Sequence, residues 1–287
     1  MLNRQYAPFI GCESEYPEAA VVLFGAPFDS TTSYRPGTRF ASREMRAQSF
    51  GLETYSPYLD RDLSDIAVFD AGDLELPFGD TQKALVQIEA LASDVFDDGK
   101  IPVMLGGEHL VTLGAVRAAF RHHPDLCLIH FDAHADLRDD YLGVSLSHAS
   151  VIRRCHDFLG DGRIFQFGIR SGDKSEFLFS GSHTHLQKFD FTGLSDVLAA
   201  LGDKPLYLTV DLDVLDPSVF PGTGTPEAGG VTFRDLRQAI KTVCVGRVVG
   251  CDLVELSPVY DQSGVSTATA CKTLRELLLS LHLLREE

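Results

Sequence analysis

Apolar residues fall in short runs along this chain, and most of the runs are continuous rather than alternating. They cover 19–28 (AAVVLFGAPF), 65–73 (DIAVFDAGD), 100–107 (KIPVMLGG), 126–134 (LCLIHFDAH), 163–171 (RIFQFGIRS), 185–190 (HLQKFD), 205–213 (PLYLTVDLD) and 248–256 (VVGCDLVEL). Unbroken apolar runs of this length predict strands covered on both faces. Between them the pattern switches to helical spacing. Leu85, Ile88, Ala92 and Val95 form one amphipathic stretch, with Gly99 as its stop. Leu274, Leu277, Leu278, Leu281 and Leu284 form a second stripe near the C-terminus. Strand alternating with helix predicts an α/β fold, either an open, mostly parallel sheet with helices on both faces or a closed β/α barrel. No low-complexity segment, repeat or Pro/Ser linker interrupts the pattern, so residues 1–287 are expected to form a single domain.

Composition narrows the function classes. The net charge of −16 argues against nucleic acid, whose phosphates demand clustered Lys and Arg. It suits a small cationic partner, although acidic surfaces mostly serve solubility. Cysteines occur at 12, 127, 155, 244, 251 and 271 with no C-x-x-C spacing, which predicts reduced, mostly buried thiols and a cytoplasmic protein. The N-terminal stretch is too polar for a signal peptide, and no apolar run reaches the roughly 18 residues that span a membrane.

Chemistry concentrates where four of the runs stop. IPVMLGG leads to Glu108-His109, LCLIHF to Asp132-Ala133-His134-Ala135-Asp136, PLYLTV to Asp211-Leu212-Asp213, and VVGCDLV to Glu255. Ligands of parallel α/β sheets bind outside the carboxyl ends of the strands, so these residues are expected to converge. In extended chain, Asp132, His134 and Asp136 would point one way and Ala133 and Ala135 the other; Asp211 and Asp213 would flank a core-facing Leu212. So many carboxylates and imidazoles in one place need cations, and oxygen and imidazole donors without thiolate suit Mn²⁺ better than structural zinc. A lone acid at a strand end is more often a helix cap, the reading given to Asp216.

Motif by motif, the chain resembles the ureohydrolases, the family of arginases and agmatinases. GAPFD (25–29), RPGTRFASREMR (35–46), GGEH (106–109), FDAHADL (131–137), SHAS (147–150), TVDLDVLDPS (209–218), PGTGTPEAGG (221–230) and DLVELSPVYD (252–261) carry the resemblance, in family order from about residue 20 to the C-terminus. It implies a three-layer α/β/α fold with an eight-stranded, mostly parallel sheet, and assembly as homotrimer or homohexamer. It also implies two Mn²⁺ per chain, one on His109, Asp132, Asp136 and Asp211 and the other on His134, Asp132, Asp211 and Asp213. GTGTPE and GIRS (168–171) point to the agmatinase branch. SHAS departs from the His-Gly-Thr-Pro-like stretch of many agmatinases, and Arg138 stands where arginases carry an Asn that reads the substrate carboxylate.

The activity so implied is hydrolysis of a guanidino C–N bond to urea and an amine, agmatine being the expected substrate. Glu255 would hold the planar guanidinium by paired hydrogen bonds, and His148 would pass a proton to the leaving amine. Asp139 and Asp140 are expected at the mouth, disfavouring a carboxylate-bearing tail. His122, His123, His156, His183 and His185 match no family position. The alternatives are another amidino substrate (arginine, guanidinobutyrate, formiminoglutamate), a catalytically silent relative, or a single-zinc deacetylase of related fold; Asp136 and Asp213 together speak against the last.

Overall fold

The computed structural model describes residues 7–282. The first six residues of the polar N-terminal segment and Leu284 of the C-terminal stripe lie outside the described residues. Each of the eight apolar runs contains a strand: β1 (Val21–Gly25), β2 (Val68–Asp73), β3 (Ile101–Leu105), β4 (Cys127–Phe131), β5 (Ile164–Ile169), β6 (His185–Lys188), β7 (Leu206–Asp211) and β8 (Val248–Val254). They form one sheet in the order 2-1-3-8-7-4-5-6. Every neighbouring pair is parallel. The sheet is open, with β2 and β6 at its edges, which settles the choice against a barrel.

The continuous runs have the physical cause anticipated for them. In β3, Ile101, Val103 and Leu105 belong to one apolar cluster and Met104 to another. Alternate side chains thus enter cores on opposite faces, and a strand covered twice has no polar face to show. The first core is completed by α1 (Ala41–Ser49), α6 (Leu194–Leu201), α7 (Phe233–Val243) and α8 (Val265–His282). The second takes α2 (Thr81–Asp97), α3 (Thr112–His122) and α4 (Val151–Leu159), with α5 (Lys174–His183) packing against it through Phe177 and Phe179.

Local signals set the helix limits. Asp80 accepts the Lys83 N–H at 3.0 Å and starts α2. Gly99, at φ +70, turns the backbone away after it. Leu274, Leu277, Leu278 and Leu281 of α8 are all buried. Truncating any of them to Ala would cost about 2–5 kcal/mol.

Candidate metal centre

The sheet order does what the sequence spacing could only suggest. β3, β8, β7 and β4 are consecutive neighbours, and their carboxyl ends carry His109, Glu255, Asp211 and Asp132. Residues more than a hundred positions apart are therefore side by side. Two glycines make the β3 end possible: a Cβ on Gly107 would lie 1.9 Å from the Phe28 carbonyl oxygen. Behind it, Glu108 N–H donates to that same carbonyl at 2.7 Å.

His109 Nδ1 is 3.0, 3.1 and 3.4 Å from carboxylate oxygens of Asp132, Asp136 and Asp211. His134 Nδ1 is 3.1 Å from Asp213 Oδ2 and 3.4 Å from Asp132 Oδ1. All six residues predicted as ligands are thus brought together. The extended-row reading of their spacing is corrected, however. β4 stops at Phe131, and Asp132 Oδ1 accepts the His134 N–H at 2.6 Å. Asp211 Oδ1 accepts the Asp213 N–H at 2.8 Å, and Leu212–Val214 is a 3₁₀ turn. Each Asp bonds its own backbone two residues on and curls the chain out of the strand. Asp136 is then reached at φ +52, a left-handed conformation that a non-glycine residue holds only under constraint. Ala133 and Leu212 are buried, as expected of residues turned from the site, whereas Ala135, also buried, lines the cavity.

Metal binding is tested by the tautomer of His109. Tyr207 and Thr209 hydroxyls donate to Asp252 at 2.8 and 2.6 Å. Thr209 Oγ1, having spent its proton, accepts from His109 Nε2 at 3.0 Å. Neutral His109 therefore keeps its lone pair on Nδ1, the atom buried among three carboxylates with no hydrogen bond of its own. That is the arrangement of a ligating histidine, and the donor set of imidazole and carboxylate fits a divalent ion. His130 is different. Gln166 Nε2 donates to its Nδ1 at 3.1 Å, so its Nε2–H donates to Asp132 Oδ2 at 2.7 Å and orients that carboxylate.

Without cations the cluster redistributes protons. Burial alone would lower His109, but Asp132, Asp136 and Asp211 outweigh it and hold the imidazole well above its ordinary value. Burial, reinforced by Asp132, raises Asp136 to about 7. Asp211 and Glu255 are pushed well up, by burial first and by the charge of Asp213 second.

His109, His134, Asp136, Asp211 and Glu255 floor a cavity of about 280 Å³ whose walls include Ser33, Arg138, Tyr141, His148, Ser171, Asp173, Glu176 and Thr225. Glu255 sits just beyond β8 at φ +65, and its Oε1 accepts the His109 backbone N–H at 2.7 Å. His148 opens a 3₁₀ turn ahead of α4, with Nε2 3.3 Å from Ser33 Oγ. Burial lowers its imidazole to about 4 against the pull of a hydrogen bond to the Thr31 backbone, so it is neutral at pH 7 rather than titrating there.

The mouth corrects the sequence reading. Asp139 pairs with Arg154 at 2.7 Å and Asp140 accepts the Gly143 N–H at 3.0 Å; neither lines the cavity. Arg138 is instead held by Asp173 at 2.6 Å and Glu176 at 3.6 Å. Asp216 is no helix cap: its carboxylate clamps the N–H groups of Ser218, Gly229 and Gly230.

Sequence reasoning missed the supports. Arg170 donates to the carbonyls of Asp213 (2.7 Å), Val214 (3.1 Å) and Glu227 (2.8 Å), wrapping the turn that presents Asp213. Glu108, raised to about 7 by burial, accepts from the Thr31 N–H and from the hydroxyls of Thr31 and Thr32. Thr31 Oγ1 in turn accepts the His148 N–H at 3.1 Å. GIRS and GGEH marked both segments, but nothing in the spacing told what these side chains grip.

Fold and donor cluster together define a hydrolase of the metal-dependent α/β class. The particular family follows from comparison: residues 19–280 match the Arginase family, and the chain belongs to it. It is 47% identical over 275 residues to an agmatinase of Bacillus subtilis (strain 168), covering 94% of this chain and 95% of that one. The crystal structure of agmatine ureohydrolase of Thermoplasma volcanium superposes with a TM-score of 0.90 at 36% identity, covering 99% and 97% of the two chains. A human mitochondrial guanidino acid hydrolase is 36% identical over 290 residues, covering 92% of this chain and 79% of its own. The chain is accordingly a ureohydrolase-type enzyme.

Proposed function

We propose that this chain works as one catalytic unit that hydrolyses agmatine to putrescine and urea with two Mn²⁺ ions. The observation that carries the reading is the convergence of two imidazole Nδ1 atoms and four aspartates, of which His109, His134, Asp136 and Asp211 line the cavity together with Glu255. His109, Asp132, Asp136 and Asp211 would hold one ion, and His134, Asp132, Asp211 and Asp213 the other. Bound there, the ions lower the pKa of a water and make it a nucleophile at neutral pH.

The chain's own groups do the rest. Glu255 has one oxygen fixed by the His109 N–H, which orients the carboxylate for the N–H groups of a planar guanidinium. An ionised Glu255 would answer the charge of that guanidinium as well as its hydrogen bonds. The leaving amine needs a proton. Neutral His148 can give one from one ring nitrogen and take one on the other, Ser33 Oγ lying against Nε2. At the wall, Arg138 is matched by Asp173 and Glu176, so the tail region has more negative than positive charge and accepts an ammonium.

Arg138 also supports a second reading, a guanidino substrate with a carboxylate tail, since a guanidinium in a cavity wall can pair with one directly. The agmatine reading takes precedence because that guanidinium is already engaged. The proposal extends to a homotrimer or homohexamer, and to the cytoplasm, which six buried free thiols suit. Among the described residues no helix is long and apolar enough to cross a membrane.

The test is metal dependence. Chelated protein should release no urea from agmatine and regain activity as Mn²⁺ approaches two ions per chain. Protein carrying both ions that still releases no urea from agmatine would sink the proposal.

A further inference from the structure

The ends of α4 and α5 away from the cavity bring a second donor cluster together. His156 lies in α4, His183 is the last residue of α5, and Asp161 lies in the loop after α4. His156 Nε2 is 2.8 Å, and His183 Nδ1 2.7 Å, from the same oxygen, Asp161 Oδ1. The three donor atoms all lie within 4.8 Å of one another.

Backbone bonds produce this arrangement. Gly160 N–H donates to the His156 carbonyl at 2.9 Å, and Gly162 N–H to the His183 carbonyl at 3.3 Å. Asp161 is therefore strung between the two histidines by its own neighbours. Both glycines are left-handed, at φ +79 and +72, so the tight loop is open to few other residues. The rings are fixed as well. His183 stacks on Phe179 with centroids 4.2 Å apart, and His156 meets the same ring edge-on at 5.0 Å. Hydrogen bonds from both imidazoles hold the Asp161 carboxyl below its usual range, so it is ionised at neutral pH.

We propose that His156, Asp161 and His183 form a peripheral site for a late first-row divalent ion, Zn²⁺ or Ni²⁺ in kind, separate from the catalytic cluster. Two imidazoles and one carboxylate are the donors that select such ions over Mg²⁺ or Ca²⁺, and three protein ligands leave room for water. Metal–ligand bonds of about 2.0–2.1 Å at tetrahedral angles separate donors by about 3.3–3.4 Å. The present contacts need to open by about half an ångström, a small rotation for an aspartate 66% exposed in its side chain. An ion there ties the C-terminal end of α4 to that of α5. The opposite ends of both helices frame the cavity: α4 follows His148, and its Ile152 and Arg153 N–H groups bond the Asp136 carbonyl, while Glu176 sits in the first turn of α5. Occupancy therefore stiffens the wall around the catalytic site.

The experiment titrates Zn²⁺, and separately Ni²⁺, into Mn²⁺-loaded protein, counting each metal after desalting and following the Tm. Wild type should take up one further ion per chain, keep its Mn²⁺ and melt higher. His156→Ala and His183→Ala should lose that ion and the Tm rise. Asp161→Asn, which keeps the shape without the charge, should bind it more weakly. The variants should match wild type in Mn²⁺ content and still melt cooperatively before titration, each Tm response being read against the variant's own Tm before the added metal, which separates loss of the site from loss of the fold. Equal uptake and equal Tm response in wild type and the double histidine variant overturn the proposal, as does Zn²⁺ that enters only as Mn²⁺ leaves.

Discussion

Thr209 never faces the cavity, yet it sets which nitrogen of His109 is available to a metal. Its hydroxyl is committed to Asp252 and so must accept from His109 Nε2. Thr209→Val should keep the fold, since it is nearly isosteric, but weaken Mn²⁺ binding about 10–100-fold. Metal titration followed by urea release measures this; unchanged affinity would remove Thr209 from the account. Asp132→Ala should empty both ion positions, because this residue would serve each; a variant keeping two ions and normal turnover would refute the assignment. Glu255→Gln should lower turnover and raise KM while leaving metal content intact, since a neutral amide cannot answer the guanidinium charge. Loss of metal in that variant would instead place Glu255 among the ligands. At this scale the sequence marked every residue of the cluster by type and spacing, but the geometry behind it was hidden. Asp132 and Asp211 bend the chain with their own carboxylates, which an alternation argument for extended chain does not foresee. Gln166, Arg170 and Asp252 went unassigned because each grips a neighbour that is close only once strands distant in sequence are paired; His130 grips Asp132, two residues on, but its tautomer is set by Gln166 of the neighbouring strand.

Four neighbouring strand ends make the site, so the elements must stop where they do. β3 ends against Phe28, and Gly107 allows the approach. Gly107→Ala should cost about 1–3 kcal/mol, since a methyl there meets backbone rather than a side chain that could swing away. The damage should reach further than stability, because the displaced segment carries Glu108 and His109. A Tm drop accompanied by loss of metal affinity is the expected pair of results; a Tm within error of wild type would show that the β3 end is not tightly placed. The inner strands were legible in the sequence because burial on two faces leaves an unbroken apolar run; the edge strand β6, HLQK, is partly exposed and carries no such run. The order 2-1-3-8-7-4-5-6 was not legible, since no run announces its neighbour; the motif resemblance supplied the open sheet instead of a barrel.

Taken as a whole, the molecule holds a buried concentration of carboxylates whose charge either protons or bound cations must offset. In the metal-free protein, burial and Asp132 raise Asp136 from 3.8 to about 7. The folded state then keeps a proton that the unfolded chain loses, so stability contributed by this group falls as pH rises from about 4 to about 7. Bound ions require the carboxylates ionised and reverse that trend. The Tm difference between Mn²⁺-loaded and chelated protein should therefore widen from about pH 5.5 to about pH 7.5; a difference that narrows over this range contradicts the account.

On the proposed reading, agmatine turnover would depend on the same charge balance at the mouth, where Asp173 and Glu176 engage Arg138. The most direct test compares kcat/KM for agmatine, arginine and 4-guanidinobutyrate on Mn²⁺-loaded protein, with urea as the readout. The account predicts that agmatine exceeds both others by more than about tenfold, or about 1.4 kcal/mol. A tenfold preference for either carboxylate-bearing substrate, abolished by Arg138→Ala, would contradict it and assign the Arg138 guanidinium to the substrate's tail.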